Sequence, residues 1–166
     1  MGEQQKMTLA EEVVKLLEED ELTVTTAESC TGGLVAARLV DVPGVSEVFK
    51  QGFITYSNKA KRKLLNVKKT TLKEVGAVSE KTAREMAKGA ILASGADAAI
   101  ATTGIAGPDG GTEEKPVGLV YIAVSVRGQM YVEEHHFEGD RTEVRESTVQ
   151  AALALLKKGL EETAAE

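Results

Sequence analysis

The sequence predicts an α/β domain in three layers, with a mixed, mostly parallel sheet between two layers of helices. Three observations carry this. Helical and extended runs alternate through the first part of the chain, as strand–helix–strand units do. The run Asp97-Ala98-Ala99-Ile100-Ala101-Thr102-Thr103 is mostly apolar without alternation, as expected of a strand covered on both faces. Late in the chain, two extended runs at 119–126 and 130–137 flank Arg127-Gly128-Gln129, a hairpin turn that adds antiparallel strands.

Each element has its own local reason. Thr8-Leu9-Ala10-Glu11 forms a capping box, and Leu9, Val13, Leu16 and Leu17 make a helical stripe behind it. Residues 22–26 alternate and are rich in β-branched types, so they predict a strand. Residues 34–40 are helical until Asp41-Val42-Pro43-Gly44 stops them. Residues 48–56 predict a strand with a bulge or close approach at Gly52. Ser57-Asn58 caps a basic helix over 59–65, and a short helix over 70–75 ends at Gly76. Ser79 caps a longer helix through Ala93, whose stripe is Ala83, Met86, Ala87, Ala90 and Ile91, and Gly95 closes it. A last helix starts at Asp140-Arg141-Thr142-Glu143 and faces Val144, Ala151, Leu155 and Leu160 to the core.

A length of 166 residues predicts one domain over 1–166, with residues 1–6 as a frayed N-terminal tail. Hydrophobic residues at 42% and charged residues at 28% place the chain among soluble globular proteins. A net charge of −6 argues against nucleic acid or an anionic membrane as partner, while leaving room for a small anion in a locally positive pocket. No apolar run approaches the roughly 20 residues of a membrane helix. The polar start, with no signal-like apolar stretch, and a single cysteine, Cys30, predict a cytoplasmic location.

The stretch Thr25-Thr26-Ala27-Glu28-Ser29-Cys30-Thr31-Gly32-Gly33 organises the rest. It is a strand–turn–helix junction with a hydroxyl at the bend. Such junctions aim backbone N–H groups and the positive end of a helix at one spot. Ser29 is therefore either a nucleophile with an oxyanion site built from the N–H groups of Thr31, Gly32 and Gly33, or a cap for the following helix. Cys30 is either a second nucleophile or a small packed residue. His135 and His136 point to opposite faces of a late strand, and their simplest role is as polar residues of an edge.

A lysine is the better base. Tyr56-Ser57-Asn58-Lys59-Ala60-Lys61 follows the next strand, and Lys59 and Lys61 face different directions on a helix. A basic lysine must be neutral near pH 7, which means lowering a reference pKa of about 10.4 by roughly three units, about 4 kcal/mol. Burial supplies such a shift, with help from cationic neighbours such as Arg62 or Lys63. Tyr56 is placed either to relay a proton or to pack as an aromatic. The glycine-rich loop with Thr103, Gly104, Ala106 and Gly107 suits an anion held by backbone N–H groups, although its spacing fits neither common phosphate-loop pattern. Lys115 and Arg141 are cations within reach of such an anion in principle, and Arg141 at a helix start opposes the macrodipole. No set of residues has metal-ligand spacing.

Three segments together resemble a known family: residues 25–33, Gly52-Phe53-Ile54-Thr55-Tyr56-Ser57-Asn58 with Lys61, and Gly104-Ile105-Ala106-Gly107-Pro108-Asp109-Gly110-Gly111 followed by Lys115-Pro116-Val117-Gly118. Gly76-Ala77-Val78-Ser79 and Gly139-Asp140-Arg141 fit as well. The pattern resembles the CinA C-terminal domain, the PncC family of nicotinamide-nucleotide amidases, over nearly the whole chain and in its stand-alone form. The resemblance implies hydrolysis of the carboxamide of nicotinamide mononucleotide to nicotinic acid mononucleotide and ammonia, without metal or cofactor. It implies Ser29 as nucleophile, Lys61 rather than Lys59 as general base, and Tyr56 as a supporting hydroxyl. It also implies nucleotide binding by the glycine-rich loop and Arg141, and self-association. Two other expectations stand beside it: a non-catalytic nucleotide-binding or regulatory module, and a serine hydrolase of another small amide.

Overall fold

The computed structural model describes residues 6–164, so all of the expected tail except Lys6 lies outside the described residues. In chain order the elements are α1 (Leu9–Glu19), β1 (Val24–Glu28), α2 (Leu34–Val40), β2 (Phe49–Ile54), α3 (Asn58–Leu65), α4 (Lys69–Glu74), α5 (Glu80–Ser94), β3 (Ala98–Gly104), β4 (Leu119–Val126), β5 (Gln129–His136) and α6 (Arg141–Ala164). A 3-10 turn, Val45–Glu47, precedes β2.

The sheet runs in the order β2-β1-β3-β4-β5. Strand β1 is parallel to both β2 and β3, while β4 and β5 add two antiparallel pairings. From β1 the chain goes to one neighbour, β2, and then returns past β1 to its other neighbour, β3. The carboxyl ends of these strands therefore flank a topological switch point, where open sheets of this kind leave a crevice. Glu28 pairs with Ile54 of β2 and with Thr102 of β3, so these three residues lie side by side at that edge.

Helices α1, α2 and α6 cover one face, packing on Val24, Ile100, Ile122 and Val124. Helices α3 and α5 cover the other, with Met86, Ala87, Ala90 and Leu65 packed on Ala27, Ala99, Ala101 and Ala123. Each fully buried Leu, Ile or Met contributes roughly 1.5–3 kcal/mol. Alanines on the second face let α5 come close. At Gly89 of α5 the approach is closest, because an added Cβ would lie 1.7 Å from the carbonyl oxygen of Leu65 at the end of α3.

Most capping signals are used as the sequence predicts. Thr8 and Glu11 form the capping box of α1, Ser57 caps α3, Ser79 caps α5, and Gly95 ends α5 in the left-handed region. The hairpin turn is Arg127-Gly128 with both φ values positive, 50 and 76, as a two-residue turn matching strand twist requires. Strand β1 differs from expectation by starting at Val24 and continuing to Glu28. The Leu22 N–H closes the end of α1 on Leu17, whereas pairing of Glu28 with Thr102 keeps the chain extended up to Ser29. Gly52 shows both predicted features: the β1–β2 register shifts beside it, and an added Cβ would meet Thr26 Oγ1 at 2.5 Å.

Candidate active site

Ser29 begins a turn closed by the Gly32 N–H donating to the Ser29 carbonyl at 3.1 Å. Gly32 and Gly33 have φ of 57 and 105, conformations that side-chain-bearing residues rarely adopt. Helix α2 starts only at Leu34, and Ser29 does not cap it. Glu28 does: its fully buried carboxylate accepts from the Val35 N–H at 2.8 Å and the Ala36 N–H at 3.1 Å. The same carboxylate accepts from Thr31 Oγ1 at 2.6 Å, and Thr31 Oγ1 lies 2.8 Å from Thr102 Oγ1. The capping alternative for Ser29 is thereby taken by its neighbour, and the Ser29 hydroxyl is left for another partner.

That partner is Lys61. Its Nζ donates to Ser29 Oγ at 2.7 Å, and its other contacts are the carbonyl oxygens of Thr55 at 2.8 Å and Tyr56 at 3.4 Å. Helix α3 starts directly after β2, so its first turn carries Lys61 back across the end of β1. Lys61 is 1% exposed and Lys59 is exposed, which separates the two lysines that spacing leaves open. No carboxylate among the described residues bonds the Lys61 amine. Burial lowers its pKa from 10.5 to about 8. A neutral amine here has two N–H groups for the two carbonyls and a lone pair for the Ser29 hydroxyl, which is the arrangement of a general base on its nucleophile.

The N–H groups of Thr31 and Gly33 find no acceptor among the described residues, because Glu28 and the Ser29 carbonyl take those around them. Like the Cys30 N–H, they remain free to donate. Gly33 is also screened on one side by Ile54, whose Cδ1 lies 3.1 Å from where a Cβ would stand. The Cys30 thiol is buried and pushed up to about 12, chiefly by that burial, so it stays protonated and unreactive.

The other predicted residues gather around this pair with distinct partners. Tyr56 is 63% exposed, and its hydroxyl accepts from Arg141 Nη2 at 3.0 Å rather than meeting Ser29 or Lys61. Arg141 also donates to the Gly107 carbonyl at 2.7 Å, which ties the glycine-rich loop to the start of α6 and accounts for a cation at an unfavourable helix end. The Thr103 hydroxyl donates to the Ala77 carbonyl at 2.8 Å. An added Cβ at Gly104 would sit 2.8 Å from the Leu119 carbonyl, and the Ala106 side chain belongs to the core. Lys115 donates to the Val75 carbonyl. His135 and His136 sit on β5, beyond β3 and β4, each beside a glutamate, and the His135 ring stacks on Phe137.

Arg145 is a residue that sequence reasoning misses. Its Nε donates to the Cys30 carbonyl and its Nη2 to the Thr31 carbonyl, both at 3.0 Å. The only signal in the sequence is its place one helical turn after Arg141, on the same face of α6. A separate basic concavity of about 720 Å³ lies outside this site, lined by Lys59, Arg62, Lys63, Lys68 and Lys69 among others.

Fold and site together define a three-layer α/β domain that carries a serine–lysine pair at the switch point of its sheet. The chain belongs to the CinA family: the model of the CinA C-terminal domain matches residues 6–160. A competence-damage inducible protein of Clostridium novyi is 55% identical over 155 residues, which cover 93% of this chain and 37% of that protein. One from Caldicellulosiruptor bescii is 54% identical over 153 residues, 92% of this chain and 37% of the relative. The chain thus spans a little over a third of the length of these curated relatives. Among solved structures, the competence/damage inducible protein CihA of Agrobacterium tumefaciens superposes with a TM-score of 0.86 at 45% identity, covering 96% of this chain and 99% of that one. A CinA superfamily protein of Klebsiella pneumoniae gives a TM-score of 0.89 at 39% identity, with 93% and 96% covered.

Proposed function

We propose that this domain is a nicotinamide mononucleotide deamidase. It hydrolyses the carboxamide to nicotinic acid mononucleotide and ammonia, returning pyridine nucleotide toward dinucleotide synthesis. The observation that supports hydrolysis most strongly is the buried Lys61 amine 2.7 Å from Ser29 Oγ, with its pKa lowered to about 8. The resemblance of the three segments to nicotinamide-nucleotide amidases supports the choice of substrate.

In this reading neutral Lys61 takes the Ser29 proton as Oγ attacks the amide carbon. The carbonyl oxygen becomes an oxyanion facing the N–H groups of Thr31 and Gly33. The Lys61 ammonium then protonates the departing nitrogen, the C–N bond breaks, and ammonia leaves a nicotinoyl ester on Ser29. Water, deprotonated by Lys61, attacks the ester and releases the acid and the Ser29 hydroxyl. The resemblance gives Arg141 and the loop around Gly107 the task of holding the rest of the nucleotide.

The test is ammonia release from nicotinamide mononucleotide by EDTA-treated protein, with Ser29→Ala alongside. Release by wild type and its loss in Ser29→Ala is the expected result. Normal turnover by Ser29→Ala overturns the mechanism. Binding of the nucleotide with no ammonia released overturns the amidase in favour of a binding module, and turnover confined to other amides moves the substrate.

A further inference from the structure

Arg145 stands behind the turn that carries Ser29, on the side away from Lys61's helix. Its guanidinium spans two successive carbonyls, Cys30 and Thr31, with one N–H to each at 3.0 Å. A fork of fixed geometry is what a two-point contact of this kind needs, and a lysine has no equivalent. Gly32 makes room for it, since an added Cβ there would lie 3.3 Å from Arg145 Nη2.

Each carbonyl that Arg145 holds is one end of a peptide group whose other end is an N–H. The Cys30 carbonyl shares its peptide with the Thr31 N–H, which has no acceptor among the described residues. The Thr31 carbonyl shares its peptide with the Gly32 N–H, which closes the turn on the Ser29 carbonyl. A charged donor on a peptide oxygen withdraws electrons from the amide and makes its N–H a stronger donor, as in any hydrogen-bonded chain. It also fixes the plane of that peptide, and therefore the direction in which the N–H points.

We propose that Arg145 is a positioning residue for the reaction at Ser29: it orients and polarises the Thr31 peptide so that its N–H receives the developing oxyanion. The inference rests on the reading of Ser29 as a nucleophile and not on the identity of the amide. On the opposite side, the Glu28 carboxylate fixes the Thr31 side chain and the start of α2. The turn is thus held from both sides, with the arginine on its carbonyls and the glutamate on its hydroxyl and helix. A preorganised donor of this kind contributes only as charge develops, so its loss lowers the rate of bond formation and leaves ground-state binding largely intact.

The experiment compares wild type, Arg145→Lys and Arg145→Gln by the second-order rate at which a fluorophosphonate labels Ser29. That reagent phosphonylates the hydroxyl with loss of fluoride and needs no nicotinamide nucleotide. The same proteins are followed by the amide proton shift of Thr31 and by thermal unfolding. Loss of one direct oxyanion donor costs about 10²–10³-fold, so an indirect role predicts roughly 10–100-fold slower labelling for Arg145→Gln. Arg145→Lys, able to reach one carbonyl, falls between, and the Thr31 amide proton moves upfield in both. Labelling unchanged in folded Arg145→Gln, or a Thr31 amide that does not move, overturns the proposal and leaves Arg145 as a packing contact. Wild type that is not labelled at Ser29 overturns it too. Wild type that is labelled but releases no ammonia from the mononucleotide leaves the proposal standing and removes only the substrate assignment.

Discussion

Lys61 Nζ reaches Ser29 Oγ at 2.7 Å while its other two contacts are backbone carbonyls, so no carboxylate among the described residues neutralises its charge. Burial disfavours the ammonium of this lysine and lowers its pKa to about 8, and the consequences are measurable in both rate and stability.

The rate consequence is a pH profile. The base form of Lys61 is the deprotonated amine, and its pKa is about 8. The value of kcat/KM for the mononucleotide should therefore rise about tenfold per pH unit below that value and level off above it. A profile flat from pH 6 to 9 would remove Lys61 from the role of base.

For stability, the sign follows from the lowered pKa. Between about pH 8 and 10.5 the unfolded lysine holds a proton that the folded one has lost, so folding stability rises with pH across this window. Below it the buried ammonium costs about 3 kcal/mol relative to a neutral group. Lys61→Met should abolish turnover and raise the melting temperature at pH 7 by about 5 °C. A lower melting temperature would mean that the ammonium is better solvated than its burial implies.

Glu28 gives the opposite expectation. Its carboxylate accepts from two helix N–H groups and one hydroxyl in a fully buried setting. Glu28→Gln brings an NH2 against N–H donors and leaves at least one of them without an acceptor. Denaturant unfolding should show a loss of about 2–4 kcal/mol, with faster amide exchange at the start of α2.

Tyr56 separates two roles. Its hydroxyl bonds Arg141 at the surface, so Tyr56→Phe should raise KM about three- to tenfold and change kcat by less than about twofold. A fall of kcat by about a hundredfold would instead return the hydroxyl to proton transfer.

Gly89 tests how packing sets the site. An alanine there would place its Cβ 1.7 Å from the Leu65 carbonyl, and backbone cannot swing aside as a side chain can. Gly89→Ala should push α3 from α5, cost about 3 kcal/mol or more, and slow turnover by misplacing Lys61. Calorimetry and kinetics on the same preparation check both.

The sequence made local structure legible wherever a short-range signal decides it. Helix α2 and strand β4 lie at the predicted residues, and Ser57, Ser79 and Gly95 act as predicted. Strand β1 slid toward Ser29 because its end is set by pairing with Thr102, a partner more than seventy residues away. Lys61 and Lys59 look alike in a string, and only the docking of α3 buries one of them. Helix capping by Glu28 and the two bonds of Arg145 depend on how a turn meets helices behind it, which periodicity does not encode. The direction of the Tyr56 hydroxyl likewise comes from Arg141, eighty-five residues away.

The buried thiol of Cys30 has a practical meaning. It is the residue next to Ser29, yet it is held protonated and out of solvent. Maleimides, haloacetamides and mild peroxide should therefore pass this molecule by, whereas sulfonyl and phosphonyl fluorides should find the hydroxyl beside it. In the proposed mechanism the hydroxyl reacts and the adjacent thiol only fills space, so function should persist under oxidising conditions that silence thiol-dependent hydrolases.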